Sequence, residues 1–128
     1  MRDLETIDDI KTLVDTFYMK VQKDDTIGFF FTKIAKVDWS QHLPKMYQFW
    51  ETLLFGNVSY KGNPMLKHFP INHQKPIEKH HFNHWLSLWT ATVNENFEGE
   101  KADLAIYKAK NIANLMSYKM EVATKLKD

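Results

Sequence analysis

The sequence predicts an all-α fold in a single domain spanning residues 1–128, and three observations carry that prediction. Glycine and proline number only 4 each, well below their usual shares of roughly 7% and 5%, so turns are few and regular elements long. Apolar residues recur at i, i+3 and i+4 through most of the chain instead of alternating. The length suffices for one core that buries roughly two thirds of the surface an unfolded chain would expose.

The first helix opens at Thr6, whose hydroxyl is placed to cap it, with Asp9 at the third helical position. Ile7, Ile10, Leu13, Val14, Phe17, Tyr18 and Val21 then share one face. Lys20 and Lys23 complement its carbonyl end, and Asp24-Asp25-Thr26 breaks it. A short apolar segment from Ile27 to Ala35 follows, in which Phe29, Phe30 and Phe31 are expected to be largely buried. Asp38 caps the second long helix, whose inward stripe is Trp39, His42, Leu43, Met46, Phe49, Trp50 and Leu53. Pro44 deletes a backbone hydrogen bond inside that helix and predicts a kinked or loosened turn beside His42.

From Gly56 to Lys75 no period is sustained, and the segment reads as a loop of about 20 residues, a length that is normally functional. Asn63-Pro64 is a cap followed by a first helical residue, so one helical turn from Pro64 to about Lys67 is expected to deliver His68 before Pro70 ends it. Pro76 opens the next helix, with apolar positions at Ile77, Phe82, Trp85, Leu86, Trp89, Val93 and Phe97, closed by Gly99 as a left-handed cap. The last helix carries Ala102, Ala105, Ile106, Ala109, Ile112, Ala113, Met116 and Met120 on one face, and its alanines allow close approach. The tail from Thr124 to Asp128 is expected to fray.

Composition removes several classes of function. The 17 basic and 16 acidic residues leave a net charge of +1, which provides no footprint for nucleic acid or an anionic membrane. With no cysteine there is no disulfide, thiolate catalysis, cysteine zinc site or covalent C-x-x-C-H haem attachment. An acidic N-terminus without an apolar h-region, and the lack of any run of 18 apolar residues, give the expectation of a soluble cytoplasmic protein. No H-E-x-x-H, Gly-rich phosphate loop, G-x-S-x-G or EF-hand pattern occurs.

What remains is histidine among aromatics. His68 stands between Pro64 and Pro70, while Tyr18, His42 and Trp85 each lie on the inward stripe of a different helix with a polar tip that needs a partner if buried. On residue type alone a lone loop histidine such as His68 is more often a surface residue, and Tyr18 or Trp85 taken singly is more often a core residue bonded to a carbonyl or water. Taken together they suit one flat, apolar, iron-bearing guest. His73, His80, His81 and His84 form a second cluster; Glu78-x-x-His81 is half of a di-iron carboxylate motif, and the other half is missing. That face is read as solvated, with a histidine-based metal-binding helical protein as the alternative.

Several runs together resemble the third group of the truncated haemoglobins, from Thr6 to Tyr118. They are Phe17-Tyr18 with Val21 and Asp24, Ile27-Gly28 leading to Phe31, Trp39-x-x-His42, Phe49-Trp50, Tyr60-x-Gly62-x-Pro64 followed by His68, Phe82-x-x-Trp85-Leu86, and Ala109-x-x-Ile112-Ala113. The resemblance implies a shortened globin, a two-over-two helical sandwich around non-covalent haem b. It implies His68 as the proximal iron ligand, Tyr18, His42 and Trp85 lining the distal side, and Phe31, Met46 and Phe49 packing near the ring. The Gly-Gly pairs of the first two groups are absent and a distal histidine is present. Gly28-Phe29-Phe30-Phe31 stands where the family usually reads Gly-Pro-Ile-Phe, and His84 where an arginine is often found, so no residue is assigned to the propionates.

Two hydrogen-bond donors facing a gas that carries partial negative charge, each contributing about 1.5–3 kcal/mol, slow its release and argue against oxygen delivery. The resemblance therefore implies a globin that binds O2, NO and CO and uses O2, as a nitric oxide dioxygenase or in peroxidase-like chemistry, with an electron-donor reductase as partner and a monomer or weak dimer as its state. A haem-based gas sensor sharing the same pocket is the alternative.

Overall fold

A computed structural model of the chain describes residues 1–56, 60 and 62–127. The helices are α1 (Ile7–Gln22), α2 (Trp39–Phe55), α3 (Pro64–Gln74), α4 (Lys79–Asn96) and α5 (Glu100–Lys127), with a π-helical turn at Phe30–Ile34 between the first two. Helices α1 and α2 pack on each other and cross the packed pair α4 and α5, giving the two-over-two sandwich; α3 lies against α5 and the π turn. The described residues form helices and no strand, the all-α architecture that the sequence implied.

Helix α1 starts as its sequence dictates. Thr6 and Asp9 form a reciprocal capping box, and the whole inward face from Ile10 to Val21 is buried. Asp9 also accepts a hydrogen bond from Arg2 Nη1 at 2.8 Å, which folds the N-terminal segment back over the helix start. The core centres on Leu13, Phe17, Trp89 and Val93, none of them accessible to solvent. Ala102, Ala105 and Ala109 of α5 are buried against it, close enough for Trp89 Nε1 to donate to the Ala105 carbonyl at 3.2 Å, while Ala113 joins Phe82, Met116 and Met120 in a second cluster.

Several expected boundaries are corrected. The segment around His68 is not a loop with one helical turn but the eleven-residue helix α3, and Pro70 lies inside it. Proline at the seventh position removes a donor only to the Leu66 carbonyl, and Leu66, Lys67 and Pro70 are all exposed, so water meets that loss. The parts of the predicted loop at 57–59 and 61 lie outside the described residues. Pro44 does not loosen α2, which runs unbroken through it with Asp38 accepting from Ser40 N at 3.1 Å.

Helix α4 begins at Lys79 instead of Pro76, because the Glu78 N–H donates to His81 Nδ1 and fixes the first turn there. It ends at Asn96 with Phe97 extended, so Gly99 is not its left-handed cap. Gly99 instead adopts φ 143° where a Cβ would come within 2.7 Å of three atoms of the Asp3 side chain. That close approach lets the Asp3 carboxylate accept from Lys101 N and Ala102 N, each at 2.8 Å, capping α5 from the far end of the sequence. The tail is not frayed: α5 stays helical to Lys127, with Thr124 Oγ1 accepting from the buried Asn72 side chain. Asp128 lies outside the described residues. Of the phenylalanine triplet only Phe30 is buried; Phe29 and Phe31 are half-buried.

Candidate functional site

A cavity of about 580 Å³ opens between the C-terminal half of α1, the π turn, α2, α3, α4 and α5. Its walls are mostly apolar, and its size falls within the roughly 300–1,000 Å³ of small-molecule sites. All seven side chains that the sequence pointed to for a flat apolar guest line it: Tyr18, Phe31, His42, Met46, Phe49, His68 and Trp85.

His68 reaches the cavity because α3 is started by a strong signal. Asn63 Oδ1 accepts from Leu66 N at 3.3 Å and Pro64 occupies the first helical position, which needs no N–H. One turn later the His68 Nδ1 lies 2.5 Å from the Pro64 carbonyl oxygen. A carbonyl only accepts, so Nδ1 must carry the proton, and Nε2 is left with its lone pair. Burial lowers the basicity of the ring, opposed by that same hydrogen bond.

His42 and Tyr18 form the other polar group. Their rings meet edge to face at 5.1 Å, with Phe31 5.8 Å and Trp39 5.5 Å from the Tyr18 ring. Burial pushes the Tyr18 phenol well above its ordinary range, which keeps it protonated as an O–H donor. The His42 imidazole is pushed down to about 4, first by burial and then by His68, Lys45 and Lys67, so it is neutral at pH 7. Its Nε2 is buried with no hydrogen-bond partner among the described residues. An unsatisfied buried polar atom costs about 1–3 kcal/mol and points to a ligand.

Trp85 packs edge-on against Phe17 at 5.8 Å and stacks on Trp89 at 6.3 Å, which holds the indole at the cavity wall. The π turn widens the backbone between α1 and α2, with Ala35 N donating to the Phe30 carbonyl at 2.8 Å, and brings both Phe30 and Phe31 to the cavity.

Sequence reasoning missed Phe30, His81, Phe82, Lys45, Lys67 and Met116 as lining residues. The spacing carried a signal for His81, since it stands four residues after Ile77 and four before Trp85, yet its neighbouring histidines suggested a surface cluster. Of that cluster only His80 and His81 stay together, with ring centroids 3.9 Å apart. His81 is buried and accepts from the Glu78 N–H at 2.9 Å, His84 Nε2 lies 2.6 Å from Asp24 Oδ1, and His73 and His80 are exposed. Among the described residues no three metal-ligating side chains converge, which corrects the histidine-based metal site.

The bacterial-like globin family matches residues 5–118. The chain is 30% identical over 115 residues to the group 3 truncated hemoglobin ctb of Campylobacter jejuni subsp. jejuni, covering 86% of this chain and 88% of that protein. It superposes on the crystal structure of group III truncated hemoglobin from Campylobacter jejuni with a TM-score of 0.81 and 28% identity, over 94% of this chain and 95% of that one. With the cavity faced by imidazoles from α2 and α3 and the sandwich closed around it, this chain belongs to the bacterial-like globins as a group III truncated haemoglobin.

Proposed function

We propose that residues 1–128 form one globin unit that holds haem b non-covalently in the cavity, binds O2, NO and CO, and uses O2 in redox chemistry instead of delivering it. The observation that carries this reading is the contrasted state of two imidazoles. His68 has Nδ1 committed to Pro64, which leaves Nε2 as a free base, while His42 holds a buried Nε2 with no hydrogen-bond partner among the described residues. A flat apolar group with one cation at its centre fits both, along with the aromatic walls from Phe31, Phe49 and Trp85.

Haem, when bound, would supply an iron centre able to take a diatomic gas, and His68 Nε2 would be the residue that holds it. The remaining work belongs to the chain. The Pro64 carbonyl orients the His68 ring and raises its basicity through the shared Nδ1 proton. Tyr18 offers a phenolic donor and neutral His42 one N–H, both on the side assigned to the gas, and Trp85 adds an indole N–H with a bulky wall that restricts entry. Donors fixed in an apolar cavity favour a ligand with partial negative charge and slow its escape. Slow escape suits consumption of O2, by oxidation of nitric oxide or in peroxide chemistry, with a reductase returning electrons.

Stoichiometric hemin added to apoprotein is expected to shift the Soret band, and the ferrous protein under carbon monoxide to give a single CO adduct. Without a Soret shift the reading fails. With haem bound, NO consumption supported by a reductase tests the redox role, and O2 release as fast as in an oxygen carrier would remove it.

A further inference from the structure

Five of the eight exposed large hydrophobic residues among those described lie on one helix: Tyr107, Leu115, Tyr118, Val122 and Leu126 of α5. They are not scattered. With half-buried Leu104 and with Asn111 they recur in steps of three, four and four residues, repeated from Leu104 to Leu115 and from Leu115 to Leu126. An 11-residue repeat keeps a stripe on one side of a nearly straight helix, at about 3.67 residues per turn. At 1.5 Å per residue the stripe runs about 33 Å. Its five exposed apolar side chains lie on the side of α5 away from the buried face of Ala102, Ala105, Ala109, Ala113, Met116 and Met120 and are left to solvent among the described residues, while Leu104 at its start is half-buried against the main core. Scattered surface apolar residues are ordinary, whereas apolar residues repeated along one helix face, here interrupted only by Asn111, mark an interface.

We infer that this face of α5 is the contact of a reversible homodimer in which two copies of the helix pack antiparallel about Leu115. A two-fold contact must be self-complementary, because the same patch serves both copies. Antiparallel packing centred on Leu115 sets Leu115 against itself, Leu104 against Leu126, Tyr107 against Val122 and Asn111 against Tyr118 of the second copy. The stripe reads nearly the same from either end.

The charges agree with that register. Antiparallel packing brings each flank of the stripe against its own counterpart. On one flank stand Asp103, Lys110, Glu121 and Lys125, all exposed, the last two paired with each other at 3.1 Å in the single chain and able to exchange that surface contact for partners across the seam. Asp103 then falls beside Lys125 of the second copy, and Lys110 beside Glu121, each pair within about one helical rise or two, and symmetry repeats both. On the other flank Lys108 approaches Lys119, whose long side chains can spread into solvent. Opposed helix macrodipoles also favour the antiparallel arrangement over the parallel one. The five exposed side chains offer on the order of 500 Å² per copy, so a pair covers roughly 1,000 Å², near the lower bound for a specific contact. A dimer in reversible exchange is the result.

The absence of cysteine makes the test clean. Sedimentation of the full chain from about 1 to about 500 µM is expected to show a monomer–dimer equilibrium, as mass action requires. Leu115→Glu should raise the dissociation constant by roughly tenfold or more, with the melting temperature of the dilute monomer unchanged. Lys110→Glu should weaken the dimer, and the double variant Lys110→Glu/Glu121→Lys should restore it. Under mild oxidation Leu115→Cys should form a disulfide dimer and Tyr107→Cys should not, while a mixture of Tyr107→Cys with Val122→Cys should. A chain monomeric throughout, a dimer indifferent to Leu115→Glu, or Tyr107→Cys linking to itself as readily as Leu115→Cys would each overturn the assignment. None of these readings depends on haem, so their failure is separate from failure of the proposed function.

Discussion

The Nδ1 atom of His68 sits 2.5 Å from the carbonyl oxygen of Pro64, one turn earlier on the same helix. Proline at the first helical position lets α3 start sharply, and the carbonyl of that same residue then fixes which nitrogen of His68 is the base. The element that delivers the imidazole also sets its tautomer. Replacing His68 with alanine is expected to abolish the five-coordinate ferrous haem spectrum and to allow its return when imidazole is added. A spectrum retained without imidazole would show that another residue ligates.

Tyr18 carries a distal prediction. Its hydroxyl stays protonated inside the apolar wall, in ring contact with His42. A hydrogen bond to a charged acceptor contributes about 1.5–3 kcal/mol, so Tyr18→Phe should speed O2 dissociation by roughly tenfold to a hundredfold in stopped-flow measurements. An unchanged rate would remove Tyr18 from ligand control.

The His42 ring, held down to about 4 by burial and by the positive charges of its surroundings, gives a pH prediction. The group gains a proton only as pH falls towards that value, well below the ordinary imidazole range. O2 dissociation should therefore stay flat between pH ~5.5 and ~8, and an inflection near 6.5 that disappears in His42→Leu would show an imidazole titrating normally.

A stability prediction concerns the start of α1. The Arg2 guanidinium beside Asp9, joined by the N–H groups of Glu5 and Thr6, holds that carboxyl down to about 2. The folded value lies below the unfolded 3.8, so its contribution is fully present above about pH 4 and is lost as pH falls towards 2. Asp9→Ala should cost about 1–2 kcal/mol at pH 7, through the lost cap and charged hydrogen bonds, and progressively less in acid. Thermal melts of both proteins at pH 7 and pH 3 measure the difference.

Much of this was legible in the residue order because the governing interactions are local. The capping box at Thr6, the Asp38 cap and the 3.6-residue period of α1 and α5 act within one or two turns of chain, and each appears as the sequence implies. Local rules misjudged α3 for a physical reason. Two prolines around one histidine look like breakers, but a helix tolerates Pro64 at its first position and Pro70 where the lost bond faces water. The extent of α3 was settled by its packing against α5, which no local period reports.

The order of residues by itself determined that the chain is helical, which faces turn inward, and which polar side chains ride on those faces. Only the tertiary structure decided that seven side chains from four helices and the π turn meet at one cavity, that His81 faces inward while His84 is spent on Asp24, and that Asp3 caps a helix almost a hundred residues away. Helix periodicity fixes direction within an element; contact between elements depends on how close their faces can come. Here buried alanines on α5 and a Cβ-free Gly99 let them come close enough.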